Sequence, residues 1–285
     1  MTQQNIRAIF MSSYSMKLLL CLSLQLFTLN SDAEQFDLFI LAGQSNMQGW
    51  RSDAALYPVD KRNQDSKIPF YFEALNYSSS NNNWQTLGSQ LGHFKQGHFG
   101  PEITFARALK QSNMNPVIFK YSSGSSSIKM QWKGPGQHGQ YDDMVVHLKQ
   151  AIQQLKNKGH TVVPRAFVWI QGESDANNQQ LSQEYYWHLK KLLTHLRNNV
   201  LRQPTLPVIL SVDEQHPRVK LRPQVVDAQL QLSLEDDTIS FVSMNGLEKY
   251  DVTHLTAKGT VEQGKRLFQN YQQTHSQSYN NQITN

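Results

Sequence analysis

The run Phe36-Asp37-Leu38-Phe39-Ile40-Leu41-Ala42 passes without a linker into Gly43-Gln44-Ser45-Asn46-Met47-Gln48-Gly49. That junction constrains the fold more than any other stretch of the chain. Its first half is almost continuously apolar, as a strand buried on both faces must be. Its second half turns at once to small polar residues and closes on glycine. A buried parallel strand ending in such a turn sets the turn at the carboxyl edge of a sheet, where α/β proteins collect ligands. A serine there can stand with backbone N–H groups beside it, the setting an acyl-transfer nucleophile needs. An ordinary Ser/Asn-rich loop would look the same, and this stretch alone does not separate the two.

The rest of the chain supplies the sheet. Apolar runs at Leu38–Ala42, Val117–Tyr121, Ala166–Ile170, Val208–Val212 and Ile239–Ser243 predict five strands. Helical spacing fills the gaps: Glu102–Gln111 after Gly100-Pro101, then Tyr141–Lys158, Leu181–Val200, Gln224–Leu234 and Thr256–Gln273. Strand–helix alternation predicts an α/β fold with a mainly parallel, five-stranded sheet covered by helices on both faces. Arg51–Phe99 is irregular and rich in Asn, Ser, Gly and aromatic residues, and is expected to wall a pocket. The polar end after about His275 is expected to fray. No internal repeat or second domain is evident. The domain map is a leader over residues 1–33, a catalytic unit over 34–275 and a tail over 276–285.

With 285 residues, 39% of them hydrophobic, the chain can build a sizeable core. A formal charge of +5, without a Lys/Arg run or a nucleic-acid motif, predicts no nucleic-acid partner. At the N-terminus Met16-Lys17 precedes the apolar run Leu18–Phe27, and Ser31-Asp32-Ala33 fits a small-x-small cleavage site. This reads as a secretory signal, with Met16 as a candidate start and a secreted or periplasmic destination. The run is too short and interrupted to span a bilayer, so no stable membrane insertion is expected after cleavage. Cys21, the only cysteine, lies inside it, which rules out thiol catalysis and thiolate metal sites in the mature chain.

Four segments lie just after strands: Gly43–Met47, Ser122–Ile128, Gln171–Asp175 and Asp251–Leu255. A serine hydroxyl needs a base at neutral pH, and imidazole, with a reference pKa of about 6.5, suits that task. A carboxylate must orient the ring. Asp251 and His254, three residues apart, can present both groups to one point, although Asp-x-x-His also recurs as a plain helix cap. For a developing oxyanion the candidate donors are Ser45 N–H, Gly124 N–H and the side-chain amide of Gln171.

At this level the chain resembles the SGNH hydrolase superfamily. Within it, the resemblance is to the sialate O-acetylesterase-like domain, grouped with the acetylxylan esterases of carbohydrate esterase family six. The residues that carry it are Gly43-Gln44-Ser45-Asn46-Met47 with Gly49, Gly100-Pro101-Glu102, Gly124 with Ile128 and Trp132, Trp169-x-Gln171-Gly172-Glu173-Ser174-Asp175, and Asp251-x-x-His254-Leu255 with Gly259. The resemblance implies a flavodoxin-like three-layer α/β/α fold. It implies Ser45 as nucleophile, His254 as base and Asp251 as the orienting carboxylate, with Ser45, Gly124 and Gln171 at the oxyanion positions. Gln44 and Asn46 would hold the loop. Glu173 and Asp175 would orient Gln171 or His254, or touch substrate; Asp175 serves equally well as a helix N-cap before Leu181. One departure is that Gly124 is followed by Ser125, where the family often has a second glycine.

The activity so implied is removal of O-acetyl groups from a carbohydrate, sialic acid or an acetylated polysaccharide such as xylan, through an acyl-enzyme and with no metal or organic cofactor. A non-catalytic SGNH-like carbohydrate-binding domain is the rival reading, and a lipase a weaker one. Oligomeric state is left open. Arg51 is either an anchor for a sugar carboxylate or a solvated cation, and Trp84 and Trp132 are either sugar-stacking faces or core. His93, His98, His138, His147 and His160 lack metal-ligand spacing and read as surface or core.

Overall fold

Alternate residues of the first strand feed two different cores. Phe36, Leu38, Ile40 and Ala42 pack on one face, and Phe39 and Leu41 on the other. This is the period-two geometry of a strand covered on both sides. The computed structural model describes residues 33–283, with side chains to Thr274. The expected signal segment and Cys21 lie outside the described residues.

In chain order the elements are β1 (Gln35–Gly43), α1 (Ser45–Gln48), β2 (Pro69–Ala74), β3 (Ser78–Ser79), β4 (Gln85–Thr86), α2 (Glu102–Gln111), β5 (Pro116–Ser122), α3 (Gln140–Asn157), β6 (Thr161–Ile170), α4 (Gln179–His195), β7 (Val208–Ser211), α5 (Pro217–Leu221), α6 (Gln224–Glu235), β8 (Ile239–Phe241) and α7 (Ala257–Ile283). Short 3-10 and π turns lie between several of them. The sheet runs β3-β2-β5-β1-β6-β7-β8, with β4 also paired to β2. All pairings from β2 to β8 are parallel, whereas β3 and β4 are antiparallel to β2. Helices α3, α4 and α6 cover the face of Leu38 and Trp169; α2 and α7 cover the face of Phe39 and Val168. The result is a three-layer α/β/α fold.

The five expected strands are β1, β5, β6, β7 and β8, and they stand in the order 2-1-3-4-5. In such a sheet the connections leave β1 in opposite directions, which opens a crevice at its carboxyl end against β6. The five-strand count itself falls short: β2 adds a sixth parallel strand and carries two short antiparallel pieces. It arises in the stretch expected to be irregular. Pro69 opens it, where a missing N–H is tolerated, and Phe70, Tyr71 and Phe72 bury behind it. At the other end α7 continues to Ile283 through the expected tail, because no Gly or Pro follows Gly264 to stop it.

Candidate active site

The nucleophile candidate sits in a turn that only glycine permits. Gly43 has φ +152°, and a Cβ there would stand 2.1 Å from Ile170 O. Gly49, at φ +83°, would meet Phe99 O at 1.9 Å. Side chains at either position would push α1 out of the crevice. Between the two glycines Ser45 opens α1, so its N–H precedes the first intrahelical hydrogen bond, which runs from Gln48 N to Gln44 O at 2.9 Å. Ser45 is buried at 6% exposure, and among the described residues its hydroxyl makes no hydrogen bond to the protein.

Asn46 joins this turn to the far end of the chain. Its Nδ2 donates to Thr253 O at 3.0 Å, and its Oδ1 accepts from Leu255 N at 3.2 Å. Those two residues bracket His254. The ring Nδ1 of His254 lies 3.0 and 2.9 Å from the two oxygens of Asp251. Asp251 Oδ1 also accepts from the backbone N–H groups of Thr253 and His254, both at 2.8 Å. Partial burial pulls the Asp251 carboxyl upward, but these hydrogen bonds outweigh it and hold its pKa below the usual carboxylate value. With an ionised partner at Nδ1, the ring carries its proton there and leaves Nε2 as the basic nitrogen. The hydrogen bonds of the ring run to Asp251 and none to Ser45.

The His254 loop is held from below. Glu173, buried at 3% exposure, accepts from Asn46 Nδ2 at 3.4 Å and from Asp213 N at 3.3 Å. Burial, helped by the nearby Asp213 carboxylate, pushes Glu173 up to about 7. Asp213 pairs with Lys249, and His216 Nε2 meets Thr253 Oγ1 at 3.1 Å. Gln44 ties the turn to the β6 loop, its Oε1 accepting weakly from Gly172 N and Ser174 N at 3.4 Å each. Beneath α1, Lys120 Nζ donates to Gln48 O at 3.1 Å and pairs with Glu102 at 2.8 Å. Both side chains of that pair have no exposed surface. Removing either partner would leave an isolated buried charge, costing about 3–5 kcal/mol.

Gln171 and Asp175 hold each other, as one of the readings for Asp175 expected. Gln171 is fully buried, and its Nε2 donates one hydrogen to Ser126 O at 2.9 Å and the other to Asp175. Its Oε1 accepts from Tyr185 OH at 3.0 Å. Both amide hydrogens are engaged within the protein, so Gln171 braces the Ser126 and Asp175 loops. Asp175 does not cap α4, whose N-cap is Asn178, accepting from Gln180 N and Leu181 N. Instead Asp175 accepts from Ile128 N at 3.0 and 3.1 Å and from Gln171, which fastens the Gly124 loop to the β6 loop. Burial holds Asp175 up at about 7. At the departure noted after Gly124, Ser125 takes φ +55°, a left-handed conformation costing roughly 1–2 kcal/mol for a non-glycine residue. Beside Gly124 itself a Cβ would meet only Gln48 Oε1, at 3.7 Å.

A family model described as a carbohydrate esterase, sialic acid-specific acetylesterase, matches residues 35–273. The chain belongs to that family. A probable carbohydrate esterase of Arabidopsis thaliana is 30% identical over 252 residues, covering 82% of this chain and 89% of the relative. An Arabidopsis thaliana protein of known structure superposes with a TM-score of 0.64 at 28% identity, over 85% of this chain and 98% of that one. The structure of NanS superposes with a TM-score of 0.61 at 13% identity, over 86% and 99% of the two chains, which is a likeness of fold. Family membership supports carbohydrate-esterase activity for this chain and agrees with an SGNH-type core.

The aromatic groups bordering the turn after β1 are not the tryptophans expected from the sequence. Trp132 is fully buried against Trp169, and Trp84 donates through Nε1 to Ala151 O while packing on the core. Trp132 is therefore core, and Trp84 is half-buried against it. Trp50 and Tyr77 are the aromatic pair at the site's edge, with ring centroids 4.4 Å apart. The available signal was position: Trp50 directly follows the closing Gly49. Arg51 is not a free cation, since its Nε lies 3.8 Å from Asp251 Oδ2 and its guanidinium sits 5.1 Å over the Tyr250 ring. His93 hydrogen-bonds Arg51 there.

Proposed function

We propose that this chain is a serine O-acetylesterase acting on an acetylated carbohydrate, with Ser45, His254 and Asp251 as its triad. The observation that carries the reading is the Asn46 side chain, bonded on both sides of His254 while adjacent in sequence to Ser45. It ties the free hydroxyl's turn to a histidine already oriented by a carboxylate.

In the first step Ser45 Oγ gives its proton to His254 Nε2 and bonds to the ester carbonyl carbon. The negative charge gathers on the carbonyl oxygen, facing Ser45 N–H and Gly124 N–H. The bond from carbon to the sugar oxygen then breaks, and that oxygen leaves with the proton from His254. Water attacks the acetyl-Ser45 ester with His254 again as base, releasing acetate and restoring the hydroxyl. Asp251 keeps the ring in its working tautomer and stabilises its charged form.

The test is acetate release from a panel of O-acetylated sialic acids and polysaccharides, with fluorophosphonate labelling of the wild type and of Ser45→Ala. Labelling and acetate release lost together in the variant support the triad. A wild type that binds acetylated glycan yet neither labels nor turns over supports the rival, a binding domain. We also propose export, supported by the Lys17 and Leu18–Phe27 pattern; a mature N-terminus at Glu34 is the expected result of end-sequencing.

A further inference from the structure

Planar groups join end to end along one border of the site. Tyr77 packs on Trp50 at 4.4 Å between centroids, and Trp50 on His93 at 5.2 Å. His93 hydrogen-bonds Arg51, whose guanidinium lies over Tyr250. The chain of contacts starts beside the nucleophile, since Trp50 N donates to Ser45 O at 3.1 Å. It ends beside the base, since Tyr250 N donates to His254 O at 2.8 Å and Tyr250 precedes Asp251.

This border is open to solvent where a core would not be. Tyr77 is 51% exposed and Tyr250 56%, and His93 is exposed as well. The segments that carry the rings are fixed to one another: Ser78 Oγ donates to Leu91 O at 2.8 Å, and Gln90 and His98 exchange backbone hydrogen bonds at 2.8 Å. Aromatic rings with one free face and polar edges suit the apolar C–H faces of sugar rings, while Arg51 and the tyrosine hydroxyls can bond to sugar oxygens. The line joins five residues in series, so it offers a ligand more than one ring face.

We infer that the border formed by Trp50, Tyr77, His93, Arg51 and Tyr250 is a stacking subsite for a glycan chain. The substrate class is an O-acetylated oligosaccharide or polysaccharide lying across the rim, in preference to a free acetylated monosaccharide. The inference rests on the esterase reading for its substrate; the rim's affinity for a chain is measurable apart from turnover.

The experiment compares acetylated oligosaccharides from xylan, glucomannan and homogalacturonan with matched acetylated monosaccharides and with 4-nitrophenyl acetate. Wild type, Tyr77→Ala, Tyr250→Ala and Trp50→Phe are used, with Trp187→Ala, an exposed aromatic on α4 outside the rim, as control. The wild type is expected to favour at least one chain over its monosaccharide in kcat/KM. Tyr77→Ala should lower the ratio of kcat/KM for that chain over 4-nitrophenyl acetate about tenfold, chiefly through KM, the scale of one lost aromatic face. Trp187→Ala should leave the ratio unchanged. Calorimetric binding of the same oligosaccharides to Ser45→Ala, with and without Tyr77→Ala, gives the readout without turnover. Absence of any chain preference in both measurements, or ratios and affinities unmoved by Tyr77→Ala and Tyr250→Ala, overturns the subsite, including in favour of a protein-docking role. A wild type inactive on every ester that still binds chains through Tyr77 overturns the esterase reading and leaves the subsite standing.

Discussion

The turn after β1 and the turn after β6 flank the same crevice and are built from the same kinds of residues, yet they do opposite things. In the first, the Ser45 hydroxyl makes no hydrogen bond to the protein among the described residues, while its neighbour Asn46 carries the cross-links. In the second, every hydrogen of the Gln171 amide is engaged, and its carbonyl oxygen as well. A polar group left free next to a crevice is available for chemistry. A polar group fully satisfied in the interior makes one conformation far cheaper than any other. Residue type brings both groups to the crevice; hydrogen-bond saturation separates the one held fixed from the one left open to a ligand.

Substitutions in either turn test whether the first works and the second braces. The largest effect belongs to Ser45→Ala, which should lower kcat for acetate release by about 10⁴-fold or more with an unchanged melting temperature, since no protein hydrogen bond is lost. Asp251→Asn should cost about 10²–10⁴-fold in kcat by removing the charge that sets the His254 tautomer, read from steady-state kinetics. Gln171→Leu should act on stability first. It strips donors from Asp175 and Ser126 and an acceptor from Tyr185, for a loss of about 3 kcal/mol in denaturant unfolding. If stability held and kcat fell by 10²-fold or more, Gln171 would be an oxyanion donor and the contrast between the two turns would collapse.

A pH dependence leaves catalysis aside and acts on stability alone. Glu173 is raised from 4.5 to about 7 in the folded chain. A raised acid binds its proton more tightly when folded, so its unfavourable contribution is absent below about 4.5. That contribution grows with rising pH and is complete above about 7. Glu173→Gln keeps an oxygen to accept from Asn46 and Asp213. It should flatten the fall in melting temperature between pH 5 and 8, measured by calorimetry. An unchanged slope would mean that Glu173 does not titrate in this window.

Much of the fold was legible because burial on both faces leaves a local mark. The runs at Leu38, Val117, Ala166, Val208 and Ile239 are short, apolar and spaced by helical patterns, and each became a parallel strand. Pro69–Ala74 was not legible, because Pro and the surrounding Asn, Ser and Gly residues carry the signature of a loop. Only pairing with β5 makes it a strand. The site divides in the same way. Asp251 and His254 are close in sequence, so their pairing could be anticipated from spacing. Trp132 and Trp50 are both tryptophans near glycines, and nothing local says that the first is sealed against Trp169 while the second borders the crevice.

Sequence alone determined the layer architecture and the edge of the sheet at which chemistry would gather, which follow from periodicity, a local property. The serine, histidine and aspartate proposed to carry the chemistry came from residue chemistry joined to the resemblance to a known family. Tertiary structure alone decided that both amide hydrogens of Gln171 are engaged, that Asp175 fastens two loops, that β2 joins the sheet, and that Trp50 packs on Tyr77. Each of those depends on which distant group satisfies a hydrogen bond or covers a ring; the loop partners of Gln171 and Asp175 lie 45 and 47 positions away.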